Sequence, residues 1–532
     1  MSMSTPRPLP KSAPTSHPRP AFLVRGLATA AILALGLTAC TSGGGAAEDP
    51  GASPAASAGS GPVPGSVLRV NWGGFPESWA PGAEMEAGFL RIPYENLVAL
   101  GADGEIEPVL ATTWEQTDDA LTLTLRDDVT FHDGTPFDAE AVKVNLETVK
   151  GTPGPYAGPF QVISSIDVVD AQTVRLNLSE PTPSLLTTLT TRAAPMASPK
   201  AIEAGTIAQV PVGTGPWAYD EAASVPGTRL VFGPAEDYWG DPVGFETVQL
   251  VAIPEDNAAS AALGNGEIDI TDTETNQFTT LDGTPGVDRL SYPAIRNNPI
   301  FFDRGPGGMF EDVAVRQAAC TAIDTEVLAK LEPDWTVRTQ HFAEGEQGYN
   351  PDIAGYTHDA AKAQELYDSA GNPPVDADML ATVFNENQMK VYAEQMGEIG
   401  MKVTVQSAPP PQYFSEWNSG KYPLGLGGND ELTPFDWYRA WFAADAPGNP
   451  SGVESDELKA AADAAIAAGT GDEADALWAE VTKIISDEAL TCAHVAGEEL
   501  IAWNTTTVTD VEAPTQPWET NLVNYRALRP AS

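Results

Sequence analysis

Aromatic residues and glycines cluster at two places in this sequence, where together they could form the wall of a ligand-binding site. Trp72 and Phe75 flank Gly73 and Gly74, after a strand-like stretch that leads to Asn71. A denser group between positions 417 and 442 consists of Trp417, Tyr422, Gly425, Gly427, Gly428, Phe435, Trp437, Tyr438, Trp441 and Phe442. Glycine lets a ligand approach the backbone, and aromatic faces supply apolar walls. We expect at least half of these aromatic side chains to be packing residues instead.

Motifs for enzyme catalysis are scarce. The sequence has no Gly-x-Ser-x-Gly, His-Glu-x-x-His, Gly-x4-Gly-Lys or Gly-x-Gly-x-x-Gly motif. His132, His341, His358 and His494 stand far apart along the chain, which disfavours a zinc site. The sequence therefore favours binding over catalysis and predicts no cofactor and no metal.

Cys40 ends an apolar run that begins at Gly26, and four basic residues and no acidic ones precede this run. The run is too short to span a bilayer, so residues 1–39 are typical of an export signal. Leu37-Thr38-Ala39-Cys40 resembles the lipobox of bacterial lipoproteins, in which the cysteine sulfur carries a diacylglycerol. The alternative is an ordinary signal peptide with a chance cysteine.

Residues 40–65 consist mostly of glycine, alanine, serine and proline, a composition typical of a flexible tether. We therefore expect an exported protein that lipid anchors to the outer face of the cytoplasmic membrane. The net charge is −46, which disfavours nucleic-acid binding and attraction to anionic lipid heads. If Cys40 carries lipid, Cys320 and Cys492 remain, and an oxidising compartment favours a disulfide between them over two buried thiols.

The folded part is too long for one hydrophobic core. Strand patterns dominate up to about residue 300, including the alternating stretches 121–126 and 173–178. Helical patterns dominate later. Asp138 can cap a helix, a stretch with helical spacing follows Asp312, and another helical stretch starts at Asp359.

Several blocks resemble extracellular solute-binding proteins of the peptide/nickel class, family 5, which serve ATP-driven importers. They are PYENLVALGADGEIEPVLATTWEQT from Pro93, LTLRDDVTFHDGTPFDAEAVKVNLE, VGTGPWAY from Val212, DYWG from Asp237, FEDVAVRQAACTAID from Phe310, HDAAKAQELYDSAG from His358 and MGEIGMKVTV from Met396. The resemblance covers nearly all of the folded chain.

The resemblance implies an α/β, two-lobe periplasmic-binding-protein-like fold of the large peptide-binder type. Lobe 1 would comprise residues 66–90, 211–296 and 498–532, an extra β-rich subdomain inserted in it residues 91–210, and lobe 2 residues 297–497. The chain would cross between the lobes near residues 296–302 and again near residues 501–504. These two crossings would act as a hinge.

In the peptide binders of the family, an aspartate on the second lobe pairs with the amino terminus of the peptide, and here Asp430 stands at that position. Leu426 replaces the family's tryptophan, and Thr433-Pro434-Phe435 replaces an Asp-Pro-Asp-like run. The candidate ligand-binding residues are Asn71, Trp72, Gly73, Phe75, Trp417, Gly427, Gly428, Asp430, Trp437 and Trp441.

The sequence and the resemblance together predict a monomeric, lipid-anchored binding protein that is not an enzyme. It would capture short peptides or peptide-like amines between its lobes and deliver them to an ABC permease. An oligosaccharide, an opine or a metal chelate is the alternative ligand. A secreted hydrolase with a hidden carboxylate pair and a ligand-free signalling or assembly lipoprotein are the rival classes of protein.

Overall fold

A computed structural model describes residues 61–83, 87–101, 104–152, 156–297, 299–331, 335–383, 385–427, 432–514 and 523–531. Cys40 and the proposed signal and tether up to residue 60 lie outside this part of the chain, as do Gly428 and Asp430.

The first third of the described chain is rich in strands. Its elements are β1 (Val63–Asn71), α1 (Ala87–Leu90), β2 (Val98–Leu100), β3 (Ile106–Pro108), β4 (Ala111–Thr117), β5 (Ala120–Leu125), α2 (Ala139–Gly151), a 3-10 turn (Gly158–Val162), β6 (Ile163–Asp170), β7 (Thr173–Leu178), α3 (Leu185–Thr188) and α4 (Pro199–Glu203). Strands β4-β5-β7-β6 form a separate sheet in that order. The alternating stretches predicted from the sequence are β5 and β7, whose buried leucines Leu121, Leu123 and Leu176 face a local core.

A second group of elements returns to the sheet that β1 begins. It comprises β8 (Trp217–Tyr219), β9 (Arg229–Pro234), β10 (Phe245–Val251), α5 (Asp256–Gly264), β11 (Ile270–Asp272), α6 (Thr275–Thr280) and β12 (Val287–Asn297). Strand β1 lies between β10 and β11 and runs parallel to both.

The region after β12 is mainly helical around a second sheet. Its elements are β13 (Ile300–Phe302), α7 (Val313–Ala322), α8 (Thr325–Leu331), β14 (Trp335–Val337), α9 (Ala360–Ser369), β15 (Asp376–Thr382), α10 (Glu386–Glu398), β16 (Lys402–Ala408), α11 (Pro410–Trp417), β17 (Leu424–Leu426), α12 (Pro434–Trp441), α13 (Asp456–Ala468), α14 (Asp472–Asp487) and β18 (Thr491–Cys492). Strand β15 runs parallel to β16 and β17.

The chain ends in lobe 1 with β19 (Val495–Asn504), β20 (Val508–Thr509) and β21 (Arg529–Pro530). The sheet of lobe 1 has the order β12-β19-β11-β1-β10-β9-β8, and β14 also pairs with β19. The sheet of lobe 2 has the order β16-β15-β17-β13-β18. Mixed sheets covered by helices are typical of α/β lobes.

The predicted cap at Asp138 is confirmed, and the helices expected after Asp312 and Asp359 are present and are capped in the same way. The side chains of Asp138, Asp312 and Asp359 accept hydrogen bonds from the backbone amides at the starts of α2, α7 and α9. Gly371, two residues after the end of α9, has a φ of 83°, a left-handed conformation that favours glycine over residues with a side chain.

The chain passes from the lobe 1 sheet to the lobe 2 sheet after β12 and returns after β18, and between these two crossings β14 makes a short excursion to pair with β19. The first runs from the end of β12 at Asn297 to the start of β13 at Ile300, inside the predicted range. The second was predicted near residues 501–504, which is wrong because this stretch lies within β19 and pairs with β11 and β12. The chain crosses instead between Cys492 and Val495, where the lobe 2 sheet gives way to the lobe 1 sheet.

Candidate functional site

Both groups of predicted site residues follow parallel strands. Asn71 ends β1, and Trp72 to Phe75 come next; Gly427 comes directly after β17, and α12 begins a few residues later. Ligands of open α/β sheets bind outside the carboxyl ends of parallel strands. We therefore define the candidate cleft as the region between the carboxyl ends of β1 and β11 in lobe 1 and those of β15 and β17 in lobe 2.

Asn71 is almost fully buried and holds neighbouring segments of lobe 1 together. Its Nδ2 donates to Thr271 Oγ1 at 3.0 Å, and its Oδ1 accepts from the backbone amide of Ile253 at 2.7 Å. Its side chain therefore fixes the end of β1 against β11 and the loop after β10.

Trp72 links the end of β1 to the carboxyl-terminal segment of the chain. Its Nε1 donates to the hydroxyl of Tyr525 at 2.6 Å, and this hydroxyl donates to the carbonyl of Gly88 at 2.9 Å. Burial is the main cause that raises the pKa of Tyr525. The hydrogen bond from Trp72 opposes this rise, and the nearby Tyr292 and Asp272 add to it. The predicted residue Trp72 thus lies in a cluster with tyrosines and an acid that the sequence pattern did not reveal.

Gly73 and Phe75 lie in the loop that follows Trp72. Gly73 has a φ of 71°, which disfavours any residue with a side chain, and a Cβ added there would contact nothing. Phe75 is half-buried and packs against the lobe 1 core.

In lobe 2, Gly427 is needed for packing. A Cβ at this position would lie 1.7 Å from the ring of Phe301, so no larger residue fits without movement of that ring. Its amide donates to the carbonyl of Pro299 at 2.9 Å, which ties the end of β17 to the start of β13. Glycine here therefore allows close strand packing, in addition to any role beside a ligand.

Two of the predicted tryptophans pack in the lobe 2 core. Trp417 is buried, and its Nε1 donates to the carbonyl of Gly448 at 2.9 Å. Trp441 is also buried, with its ring centroid 4.3 Å from that of Phe301. These contacts agree with the expectation that part of the aromatic group is packing.

Trp437 has a different environment. Its ring stacks on that of His341 at 4.4 Å with an interplanar angle of 15°, and the rings of Phe342 and Phe442 meet it edge-on. The side chain is buried, yet its Nε1 has no hydrogen-bond partner among the described residues. An indole N–H that is buried in this way is costly unless an acceptor is supplied.

His341 and His494 come together although they are far apart in sequence. Their ring centroids are 6.3 Å apart, and His494 lies at the second crossing between the lobes. Burial and the nearby Arg338 lower the pKa of His494 to about 3, so its ring is neutral at physiological pH. Among the described residues, no group of three or more histidine, cysteine or acidic side chains could hold a metal ion.

A hydrogen bond joins the segment before α3 to helix α12 of lobe 2. The hydroxyl of Ser184 donates to Asp436 Oδ1 at 2.7 Å, and the hydroxyl of Thr433 donates to Oδ2 at 2.7 Å. Burial raises the pKa of Asp436, while the two hydroxyl groups oppose this rise. Beside it, Arg439 on α12 lies 3.6 Å from Glu180 of the subdomain. Sequence reasoning missed all of these residues, because no local pattern reveals which distant segments meet.

A cavity of about 220 Å³ lies in lobe 1 between the carboxyl-terminal segment and the region around β2. The buried carboxylate of Glu95 at its wall accepts from Tyr238 at 3.0 Å, from Trp239 at 2.8 Å and from Arg526 at 2.8 Å. These three hydrogen-bond donors compensate for the burial of the Glu95 carboxylate. Glu95 therefore holds the segment of Tyr238 and Trp239 and the segment of Arg526 together at this wall.

Cys320 on α7 and Cys492 at the end of β18 form a disulfide bond, with their Cα atoms 5.8 Å apart. This is the pairing expected from the sequence. It closes a loop of 172 residues within lobe 2 and lies next to the second crossing.

No helix in the described part of the chain combines the length and the apolar character needed to span a membrane.

Comparison with known proteins identifies the family. Residues 105–449 match the model of bacterial extracellular solute-binding proteins, family 5, middle region. The chain is 25% identical over 456 residues to the probable D,D-dipeptide-binding periplasmic protein DdpA of Escherichia coli (strain K12), covering 80% of this chain and 88% of that protein.

Solved structures show the same fold. HbpA2 from Haemophilus parasuis superposes with a TM-score of 0.77 at 19% identity, covering 88% of this chain and 100% of that one. DppA from Helicobacter pylori, solved in complex with the peptide STSA, superposes with a TM-score of 0.67 at 21% identity, covering 88% and 98%. The match to the family model covers more than half of the chain, and the chain belongs to family 5 of the bacterial extracellular solute-binding proteins.

Proposed function

We propose that this chain captures short peptides or peptide-like amines in the candidate cleft and delivers them to an ABC permease. The observation that carries the proposal is the placement of both predicted groups beyond the carboxyl ends of parallel strands, one in each lobe of a family 5 chain. The relative DdpA is described as a probable D,D-dipeptide binder, and DppA was solved with a bound peptide.

An amine on the ligand would suit the charge of this protein. The net charge of −46 produces a negative field that attracts cations to a cleft. Asp430 follows β17 by four residues, at the position of the family's amine-binding aspartate. A carboxylate in a closed, water-poor cleft attracts an ammonium group more strongly than a carboxylate on the surface does.

The proposal includes attachment to the outer face of the cytoplasmic membrane through lipid on Cys40. Family 5 binding proteins are extracellular or periplasmic, and an anchored protein of this kind would remain close to its permease. The composition of residues 41–65 supports a tether long and flexible enough for this purpose.

Native mass spectrometry of the freshly purified full chain tests the capture function, because a tightly held small molecule survives purification. A retained peptide or amine supports the proposal, and a retained sugar, opine or metal chelate supports the alternative ligand. Hydrolysis of added di- and tripeptides would instead support the hydrolase.

Calorimetry with free and N-acetylated dipeptides then tests the ligand class. Asp430→Asn should weaken binding of the free dipeptide by about 2–5 kcal/mol, part of which reflects an ammonium group left without its partner. Acetylation should weaken binding to the wild type and affect the variant much less. Glu457→Gln, which removes one exposed charge from α13, is the matched control. Equal effects of acetylation on both proteins would contradict the role of Asp430.

A further inference from the structure

We propose that the contact between Ser184 and Asp436 is a proton-linked latch that holds the two lobes closed. This inference rests on the proposed capture function, since it assigns a regulatory device to the same cleft. Ser184 belongs to the proposed subdomain inserted in lobe 1, and Asp436 lies on helix α12 of lobe 2.

The geometry of the contact is specific. Each oxygen of the Asp436 carboxylate accepts one hydroxyl hydrogen bond of 2.7 Å, from Ser184 across the lobes and from Thr433 within lobe 2. Thr433 caps α12 by accepting from the amide of Asp436 at 3.1 Å, so the carboxylate is held in place on its own side.

The hydroxyl of Ser184 bonds to Asp436 and does not cap its own helix. Ser184 occupies the position before α3 where a serine hydroxyl often caps the helix, but its side chain makes no capping bond there. It is buried, and its hydroxyl is directed to Asp436 instead. The hydrogen bond can therefore form only while the subdomain and lobe 2 are together.

Among the described residues, no cation forms an ion pair with Asp436. Arg439, on the same helix, directs its guanidinium to Glu180 at 3.6 Å and to Asp445 at 3.1 Å. Glu454, from the loop before α13, accepts from the hydroxyl of Tyr438 and adds no positive charge. Closure thus removes water from a carboxylate whose hydrogen-bond donors, in the part of the chain that the structure describes, are two neutral hydroxyl groups.

This environment couples closure to a proton. Burial is the larger effect and raises the pKa of Asp436 in the closed protein, while the hydroxyl bonds lower it to a smaller degree. In the open protein, water would restore an ordinary pKa. The closed form therefore holds the proton more tightly than the open form. As pH falls from above the raised pKa of the closed protein towards the ordinary pKa of the open protein, closure is favoured, and a rise in pH favours opening. A hydroxyl group can also accept a hydrogen bond, so Ser184 or Thr433 can receive the acid proton of Asp436.

The consequence for ligand binding follows from linkage. A ligand that binds the closed form gains affinity from anything that favours closure. We therefore expect capture to strengthen at acidic pH and release to become easier as pH rises.

Fluorescence energy transfer in the full chain without ligand tests the latch. Non-canonical residues that carry the dyes replace Val169 on β6 and Val383 after β15, both of which are exposed. The closed fraction of the wild type should increase as pH falls from 8 to 4. Asp436→Asn, which is neutral at every pH and keeps both hydroxyl partners, should stay closed and lose this pH dependence.

Ser184→Ala should lower the ratio of closed to open protein about 3- to 10-fold near pH 7, on the scale of one lost hydrogen bond. Thr182→Ala is the matched control, because its hydroxyl bonds only to Glu180 in its own segment. Unfolding curves check that each variant is folded.

A closed fraction that does not change in Ser184→Ala, or that keeps its pH dependence in Asp436→Asn, would overturn the latch. Because the measurement uses no ligand, it separates the latch from the capture function. A protein that binds no peptide but shows the expected shifts retains the latch and loses the proposed ligand.

Discussion

The indole Nε1 of Trp72 and the hydroxyl of Tyr525 are 2.6 Å apart, in a hydrogen bond that joins the end of β1 to the carboxyl-terminal segment. Because the same hydroxyl donates to Gly88, Tyr525→Phe would leave two buried polar groups unpaired. We expect a loss of roughly 1–3 kcal/mol in the free energy of unfolding, measured by urea denaturation. Tyr219→Phe, at a half-buried tyrosine of the same lobe, should change stability much less. An equal loss in both variants would show that the Trp72 contact has no special role.

Removal of the disulfide should destabilise lobe 2. The bond closes a loop of 172 residues, for which chain entropy suggests a contribution of about 4–5 kcal/mol, although measured values are often smaller. The double variant Cys320→Ala and Cys492→Ala should therefore unfold at lower urea concentration than the wild type. Reductant should lower the stability of the wild type but leave the variant unchanged. Thiol titration of the denatured, unreduced chain that detected both cysteines as free would contradict the bond.

Trp437→Phe separates packing from ligand contact. The variant keeps an aromatic ring beside His341 and removes the buried N–H that lacks a partner among the described residues. We expect the stability of the ligand-free protein to remain unchanged or rise. If the ligand supplies the acceptor, dipeptide affinity should fall by about 0.5–1.5 kcal/mol. Unchanged affinity in calorimetry would make Trp437 a packing residue only.

His494 should make the protein sensitive to acid. Burial lowers its pKa in the folded state to about 3, whereas the unfolded chain takes up a proton near pH 6.5. The unfolded state therefore binds more protons between these values, and stability falls as pH drops, by at most about 1.4 kcal/mol per pH unit. His494→Gln should reduce the difference in unfolding free energy between pH 7 and pH 5.

Cys40→Ser tests the lipid anchor. Without the thiol no diacylglycerol can attach, so the variant should leave the membrane fraction or accumulate as an uncleaved precursor. Mass spectrometry of the wild type should show the added lipid, and Thr41→Ser should behave as the wild type. A variant that stays at the membrane and is fully processed would contradict lipid attachment.

Local patterns were sufficient to predict local structure. Asp138, Asp312 and Asp359 are helix caps because a short acidic side chain before an apolar helical repeat satisfies free amides whatever the rest of the chain does. Strands β5 and β7 could be predicted from the alternation of apolar and polar residues, because one face of each strand packs against the core.

Long-range contacts could not be predicted from such patterns. The stretch 501–504 reads as the end of a strand, and only its pairing with β11 and β12 shows that it lies inside the lobe 1 sheet. Likewise, nothing near Ser184 indicates that its partner is Asp436, 252 positions later. The sequence shows that tryptophans cluster along the chain, but the burial of Trp417 and Trp441 depends on Gly448 and Phe301, which come from other segments.

The position of β19 has a consequence for biosynthesis. This strand lies between β12 and β11, yet it follows both in the sequence and is synthesised after them and after all the elements of lobe 2. Until it arrives, β11 has an unpaired edge and β12 has no neighbour in the lobe 1 sheet. Exposed strand edges invite association with other chains. A nascent or prematurely terminated chain that stops before Val495 should therefore need a chaperone to remain unaggregated, and the lobe 1 sheet should mature after the lobe 2 sheet, whose last strand is β18.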